Sequence, residues 1–337
     1  MQLSPQTRIA QILVTIALTM SLSSITSAQQ LWFSPGDDVN TQKSGIAHPD
    51  YMQLFNPDRW PVGANRVNVM MIRDIWFLRM PADSAQKALV FLKQHNIAIA
   101  SPMGLIANDS LNCGAGVEGF GSERGIIFNP REMKKKGIPL DYVVIDEPLF
   151  HGHDYNGKNA CNLPVAQIAD AVARNVKMIR SYYPLVQFVM VEPPQALAGG
   201  AKELAEFLDD YKADLKEYPV SVRFDIAWDQ VDKRHSDWRL SIPSFIQMLK
   251  AHGIGYGIIF NAGHPTGQSL SSDGDWVASA KSNVAAWMAA VHDVPNQVVI
   301  QTWTPNPVRN VPERDPNTMT GYLKWFVSYY PLTKPNQ

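Results

Sequence analysis

The chain has 337 residues, with 30 Lys and Arg against 31 Asp and Glu, for a formal net charge of −1. That balance excludes nucleic acid as the main partner, since a phosphate backbone calls for a basic excess. A composition 45% hydrophobic and 18% charged excludes a disordered chain, and the scattered 21 Gly and 24 Pro exclude collagen-like or low-complexity organisation.

The first element is a targeting segment. Arg8 supplies a positive flank, Ile9 to Met20 form a short apolar run, and Thr26-Ser27-Ala28 offer small residues at a cleavage site before Gln29. This is the pattern of a secretory signal over residues 1–28. The run is too short, and too polar at Gln11, Thr15 and Thr19, to span a bilayer, and nothing later approaches a span. Residues 29–337 are therefore expected to form one domain working outside the cytoplasm, secreted or periplasmic.

From there, short apolar, β-branched runs alternate with stretches of helical spacing. The expected strands are Leu31–Ser34, Val67–Ile72, Ile97–Pro102, Tyr142–Ile145, Gln187–Val191, Val220–Ile226, Tyr256–Asn261 and Gln297–Thr302. Most lack polar alternation, as parallel strands covered on both faces do. Apolar stripes at helical spacing run through Ala85 to Leu92, Val165 to Ile179, Leu204 to Leu215 and Trp276 to Val291, with shorter ones at Phe245–Leu249 and Met319–Phe326. Asp83 and Ser84 suit helix caps, and Pro164 suits a first helical turn. Lys134-Lys135-Lys136 before Gly137 reads as a solvated helix end. Eight strands, each followed by a helical segment, make an α/β fold of the (β/α)8 TIM-barrel type. An open doubly wound sheet would instead gather its polar residues at one switch point. No Gly-x-Gly-x-x-Gly motif opens a helix and there is no Walker motif, so nucleotide binding has no support and no cofactor is implied.

In such a barrel the site lies where strands run into their following loops. Those ends carry Asp37 and Asp38, Arg73 and Asp74, Met103-Gly104, Asp146-Glu147-Pro148, Glu192-Pro193-Pro194, Asp225 with Trp228 and Asp229, Asn261 with His264, and Gln301-Thr302-Trp303. Carboxylates that cleave glycosidic bonds and indoles that stack on pyranose faces fit a carbohydrate substrate. Glu147 is the sharpest candidate. A general acid needs a carboxyl whose pKa is raised by a crowded, partly apolar site, and a neighbouring Asp contributes to that.

Asp146-Glu147-Pro148 after the fourth strand resembles the Asn-Glu-Pro of the large clan of retaining (β/α)8 glycoside hydrolases. The resemblance implies that Glu147 is the acid/base. Arg73 and Trp303 are similar to clan positions that line the sugar site. The clan's nucleophile, a Glu ending the seventh strand, is replaced here by Asn261. Three replacements are open. Glu192 ends the fifth strand and would otherwise bind hydroxyls or anchor a loop. Asp225 shares a strand face with Arg223 by parity and would otherwise pair with it inside the barrel. Alternatively, Asp146-Glu147 resembles the Asp-Glu dyad of β-hexosaminidases, which implies a substrate acetamido group as nucleophile. Carboxyls about 5–5.5 Å apart imply retention of configuration and about 6.5–9.5 Å inversion.

His151 and His153 form a His-x-His pair able to bind metal, but without a second pair they are read as loop residues, and no metal site is assigned. His264 is a candidate sugar contact, as are Asn261, Trp228 and Trp303. Cys113 and Cys161, an even pair in an exported chain, fall in loops expected to be neighbours and are expected to be bridged. That bridge would pin Gly114–Gly121 beside Glu147, and Glu118 in this segment is an extra acid. The expected activity is an exported glycoside hydrolase acting on an oligo- or polysaccharide. A non-catalytic carbohydrate-binding barrel and a metal-dependent hydrolase are the alternatives. Sugar identity, linkage and oligomeric state are not legible.

Overall fold

A computed structural model describes residues 29–38, 48–228, 237–263 and 270–332. The expected signal segment, Asp229 and His264 lie outside them. Eight parallel strands close into a barrel. They are Gln30–Ser34, Val69–Met71, Ala98–Met103, Tyr142–Asp146, Gln187–Glu192, Ser221–Phe224, Gly255–Phe260 and Gln297–Gln301. Closure is direct: Gln30–Ser34 pairs residue by residue with Gln297–Gln301 on one side, and Trp32 and Phe33 pair with Val69 and Met70 on the other.

Strand parity explains the two cores. Trp32, Val69, Met71, Ala100, Val144, Val189, Val191, Ile259 and Val299 pack together inside the ring. Their chain neighbours, among them Phe33, Met70, Ile145, Met190 and Phe260, belong to the larger cluster between strands and helices. Both faces are dry, which is why the strands read as unbroken apolar runs.

One cation lies within this ring. Arg223 is fully buried, with its guanidinium 3.5 Å from the Trp32 ring centroid and its Nε donating to Gln297 Oε1 at 2.8 Å. The ion pair between Arg223 and Asp225 considered from the sequence is thus replaced by a ring face and an amide, and burial holds the pKa of Arg223 well below the usual range.

The helices that follow most strands are Ala82–Gln94, Glu123–Lys135, Val165–Tyr182, Gly200–Leu215, Trp238–Ala251, Asp273–Ala290 and Met319–Tyr329. After the first strand the helical layer is broken into short turns at Tyr51–Phe55, Pro57–Arg59 and Pro61–Ala64, where Pro57 and Pro61 each restart the chain. Asp83 and Ser84 are not caps. The helix begins at Ala82 behind Pro81, leaving Asp83 in a first turn that favours its charge. Pro164 immediately precedes Val165–Tyr182. Gly137, at φ +70°, ends the lysine-rich helix as expected. Among the described residues no helix is long and apolar enough to cross a membrane.

Candidate active site

The site begins where the fourth strand stops. Asp146 closes the strand two residues after Val144, so it shares that residue's inward face. Glu147 adopts φ +41°, a left-handed conformation uncommon outside glycine, which ends the strand's alternation. A π-helical turn, Phe150–Asp154, follows. His151 lies one turn beyond Glu147 and is held to it twice. Its N–H donates to the Glu147 carbonyl at 3.1 Å, and its Nε2 lies 3.0 Å from Glu147 Oε2. The same Nε2 lies 3.4 Å from Glu118 Oε2. Glu147 is only 9% exposed, whereas the Glu118 side chain is 56% exposed and forms the wet edge of the cluster.

Charge crowding sets the proton balance. Burial raises the Asp146 carboxyl well above the usual range, helped by Glu118, Glu147 and Asp225. Asp225 is raised likewise by burial and by Glu147 and Glu118, against an Asn261 Nδ2–H that donates to its Oδ1 at 3.2 Å. Glu147 is raised by burial, with the His151 hydrogen bond pulling the other way. For His151, burial disfavours the imidazolium, but the hydrogen bonds to Glu118 and Glu147 outweigh it and lift the ring from 6.5 to about 9. Raised carboxyls beside an imidazolium shift the cluster toward holding a proton, the direction a general acid requires.

A pH signature follows. The folded-state pKa of His151 lies above the unfolded value, so its stabilisation is complete below about 6.5 and is lost as pH rises through about 9. The urea midpoint is expected to fall across that window by the equivalent of about 2 kcal/mol, allowing for partial solvent screening. His151→Asn should flatten that stretch of the curve. Superimposable profiles for the two proteins would contradict the assignment.

The remaining sequence candidates separate by parity and packing. Glu192 does not open on the mouth. Val191 faces the barrel interior, so Glu192 falls on the helix side, where it is 0% exposed. Its Oε1 accepts the Leu149 N–H at 2.8 Å and its Oε2 the Phe150 N–H at 3.1 Å. It anchors the turn that carries His151, with each carboxylate oxygen accepting one backbone N–H. Trp228 is half-buried. Its ring stacks on Phe260 at 5.8 Å and meets Trp238 edge-on at 5.3 Å, in the layer between strands and helices. Trp303, directly past the eighth strand, is 62% exposed and leaves an indole free for stacking. Arg73 grips Asp37 with Nε and an NH2 group, both bonds 2.5 Å long, tying the second strand end to the first. Asn261 is 4% exposed and bound to Asp225.

Glu118 reaches the cluster through its loop. Cys113 and Cys161 are bonded, with Cα atoms 5.3 Å apart, and join the loops after the third and fourth strands. Gly114, Gly116 and Gly119 all have φ near +77 to +79°. At Gly119 close approach adds a second requirement, since a Cβ there would lie 3.1 Å from the Glu147 carbonyl oxygen. Residues Ile106–Ala107 pair with Phe120–Gly121 and close the loop's base. The two loop histidines do not converge. His151 faces Glu118 and Glu147, while His153 faces Glu203, with Nε2 3.3 Å from Oε1.

No known protein-family pattern matches this sequence, and no curated protein is significantly similar to it. Its fold is similar to solved glycoside hydrolases. A β-mannanase from the blue mussel Mytilus edulis superimposes with a TM-score of 0.50 at 9% identity, covering 92% of this chain and 95% of that one. A variant of Xylanase10C from Cellvibrio japonicus, in complex with xylopentaose, superimposes with a TM-score of 0.50 at 11% identity, covering 91% of this chain and 68% of that one. At such identities the likeness shows a shared barrel.

Proposed function

We propose that this protein is an exported glycoside hydrolase in which Glu147 protonates the leaving glycosidic oxygen. The observation that carries the reading is the group of buried acids, Asp146, Glu147 and Asp225, whose carboxyls are all raised and which gather with His151 at the strand ends of a closed barrel. The glycosidic C–O bond breaks with its electron pair on the departing oxygen, which takes the Glu147 proton. Asp225, rather than Glu192, stabilises the anomeric centre, either as nucleophile or as base toward water. Asn261 holds one Asp225 oxygen and leaves the other available. His151 holds Glu147 Oε2 and returns a proton to it between turnovers. Burial and the charge of Glu118 keep the Glu147 proton bound, Asp146 lines the same crowded strand end and holds the substrate, and Trp303 stacks on a sugar ring.

The test is turnover on a panel of oligosaccharides, with NMR of the first-formed anomer. Asp225→Asn should abolish turnover of every responsive sugar and leave the fold intact. Full activity in this variant removes Asp225 from the mechanism.

One observation favours a second reading, a metal-dependent hydrolase: ligand atoms of Glu118, Glu147 and His151 lie within 4.8 Å of one another. Against it, His151 Nδ1 is buried with no hydrogen-bond partner. A metal-ligating imidazole is ordinarily steadied through its other nitrogen. Under the metal reading Glu118→Gln abolishes turnover, whereas under the glycosidase reading it shifts the pH profile and retains activity.

A further inference from the structure

We propose that His153, Asp154 and Glu203 form a binding site for one divalent transition-metal ion of the zinc class, separate from the acid cluster, and that the ion fastens the turn carrying His151. Ligand atoms of the three side chains lie within 4.8 Å of one another. The His153 Nε2 to Glu203 Oε1 distance is 3.3 Å. Zinc bonds of about 2.0–2.2 Å in a tetrahedral arrangement place neighbouring donor atoms about 3.4 Å apart, so this pair already has the required spacing.

The second observation concerns the atoms behind the donors. His153 Nδ1 lies 2.6 Å from the Leu163 carbonyl oxygen. A carbonyl only accepts, so Nδ1 carries the proton and Nε2 is turned toward the carboxylates. This is the arrangement that orients imidazoles at metal centres. Each acid is braced in the same manner. Asp154 Oδ2 accepts the Ala198 N–H at 2.9 Å and Glu203 Oε2 accepts the Gly199 N–H at 2.8 Å, while the two carboxyls also hydrogen-bond each other, a contact that a bound ion would replace. His151 lacks any such support, which distinguishes the two clusters. The site is reachable, because the His153 side chain is 36% exposed while that of Glu203 is 9%. One imidazole and two carboxylates suit zinc, cobalt or manganese better than calcium, which prefers oxygen ligands throughout.

The placement gives the ion a purpose. His153 and Asp154 end the π-helical turn that holds His151, and Glu203 lies in the first turn of Gly200–Leu215, after the fifth strand. An ion here clamps the fourth and fifth strand-to-helix connections beside Glu147.

The experiment uses the full chain, stripped with chelator and dialysed, and titrates it with zinc chloride or cobalt chloride alone. One equivalent should bind, cobalt should develop a visible absorption band, and the thermal midpoint should rise with zinc concentration. Glu203→Gln and His153→Asn should each weaken binding by roughly a hundredfold or more, while Glu118→Gln leaves it unchanged. Should one of the first two variants fail to fold, the other gives the same readout. No saturable binding by the wild type overturns the proposal. So does binding that survives Glu203→Gln and His153→Asn but is lost in Glu118→Gln, since that places the ion on His151. These readouts need no substrate and stand whether or not a glycoside is turned over.

Discussion

Glu147→Gln is expected to lower kcat on a natural glycoside by about 10²–10⁴-fold, with little change in KM. The side chain keeps its volume and can still accept the His151 hydrogen bond, so the turn should remain in place. What disappears is the titratable proton. The sharper test lies in leaving-group dependence. A dinitrophenyl glycoside departs without protonation, so the variant should approach wild-type rates on it, in the bond-breaking step, while remaining poor on an unactivated disaccharide. With no carboxylate able to form at position 147, the upward push of Glu147 on Asp146 and Asp225 is also lost, and their pKa values fall. The acid side of the pH–rate profile should therefore move to lower pH. A variant equally impaired on both substrates would point to a positioning role, and an unimpaired one would remove Glu147 from the chemistry.

Glu192→Ala is expected to destabilise the fold by about 3 kcal/mol, because it leaves the buried Leu149 N–H and the half-buried Phe150 N–H without acceptors. Urea unfolding measures this directly. Turnover should fall with it, since the turn carrying His151 loses its anchor. A small carboxylate or azide should not restore that turnover, as it characteristically would if a nucleophile had been deleted. An Ala variant of wild-type stability whose activity returns with azide would reinstate Glu192 as the attacking group.

The barrel was legible because all eight strands are covered on both faces, and continuous apolar runs such as Tyr142–Ile145 and Gln187–Val191 have few other destinations. The broken helical layer after the first strand was not, because its turns are packed by Trp60 and Tyr51 against partners distant in sequence. Within the site, the parity that groups Arg223 with Asp225 also assigns Val191 and Glu192 to opposite faces. That signal was available in the strand itself and excludes Glu192 from the mouth. The four-residue spacing from Glu147 to His151 was a second available signal, one helical turn in length. Glu118 was placed beside Glu147 by the expected cysteine bridge and by no spacing of its own. Its position depends on three left-handed glycines and a disulfide that folds a long loop back over the strand ends, and no local periodicity encodes that return. Trp228 packs on Phe260 and Trp238, contributed by two other elements, so this packing could not be read from its place at a strand end.

The backbone at position 147 has a consequence for how such a barrel can drift. A glycine there would relax the left-handed torsion, typically a strain of roughly 1 kcal/mol or more, and would relieve the repulsion among the neighbouring carboxylates. Folding alone therefore selects against glutamate at this point. Under the proposed mechanism, activity is what holds an acid at this point, and a descendant released from that demand would have a downhill path to a sturdier, inert shell through that one codon.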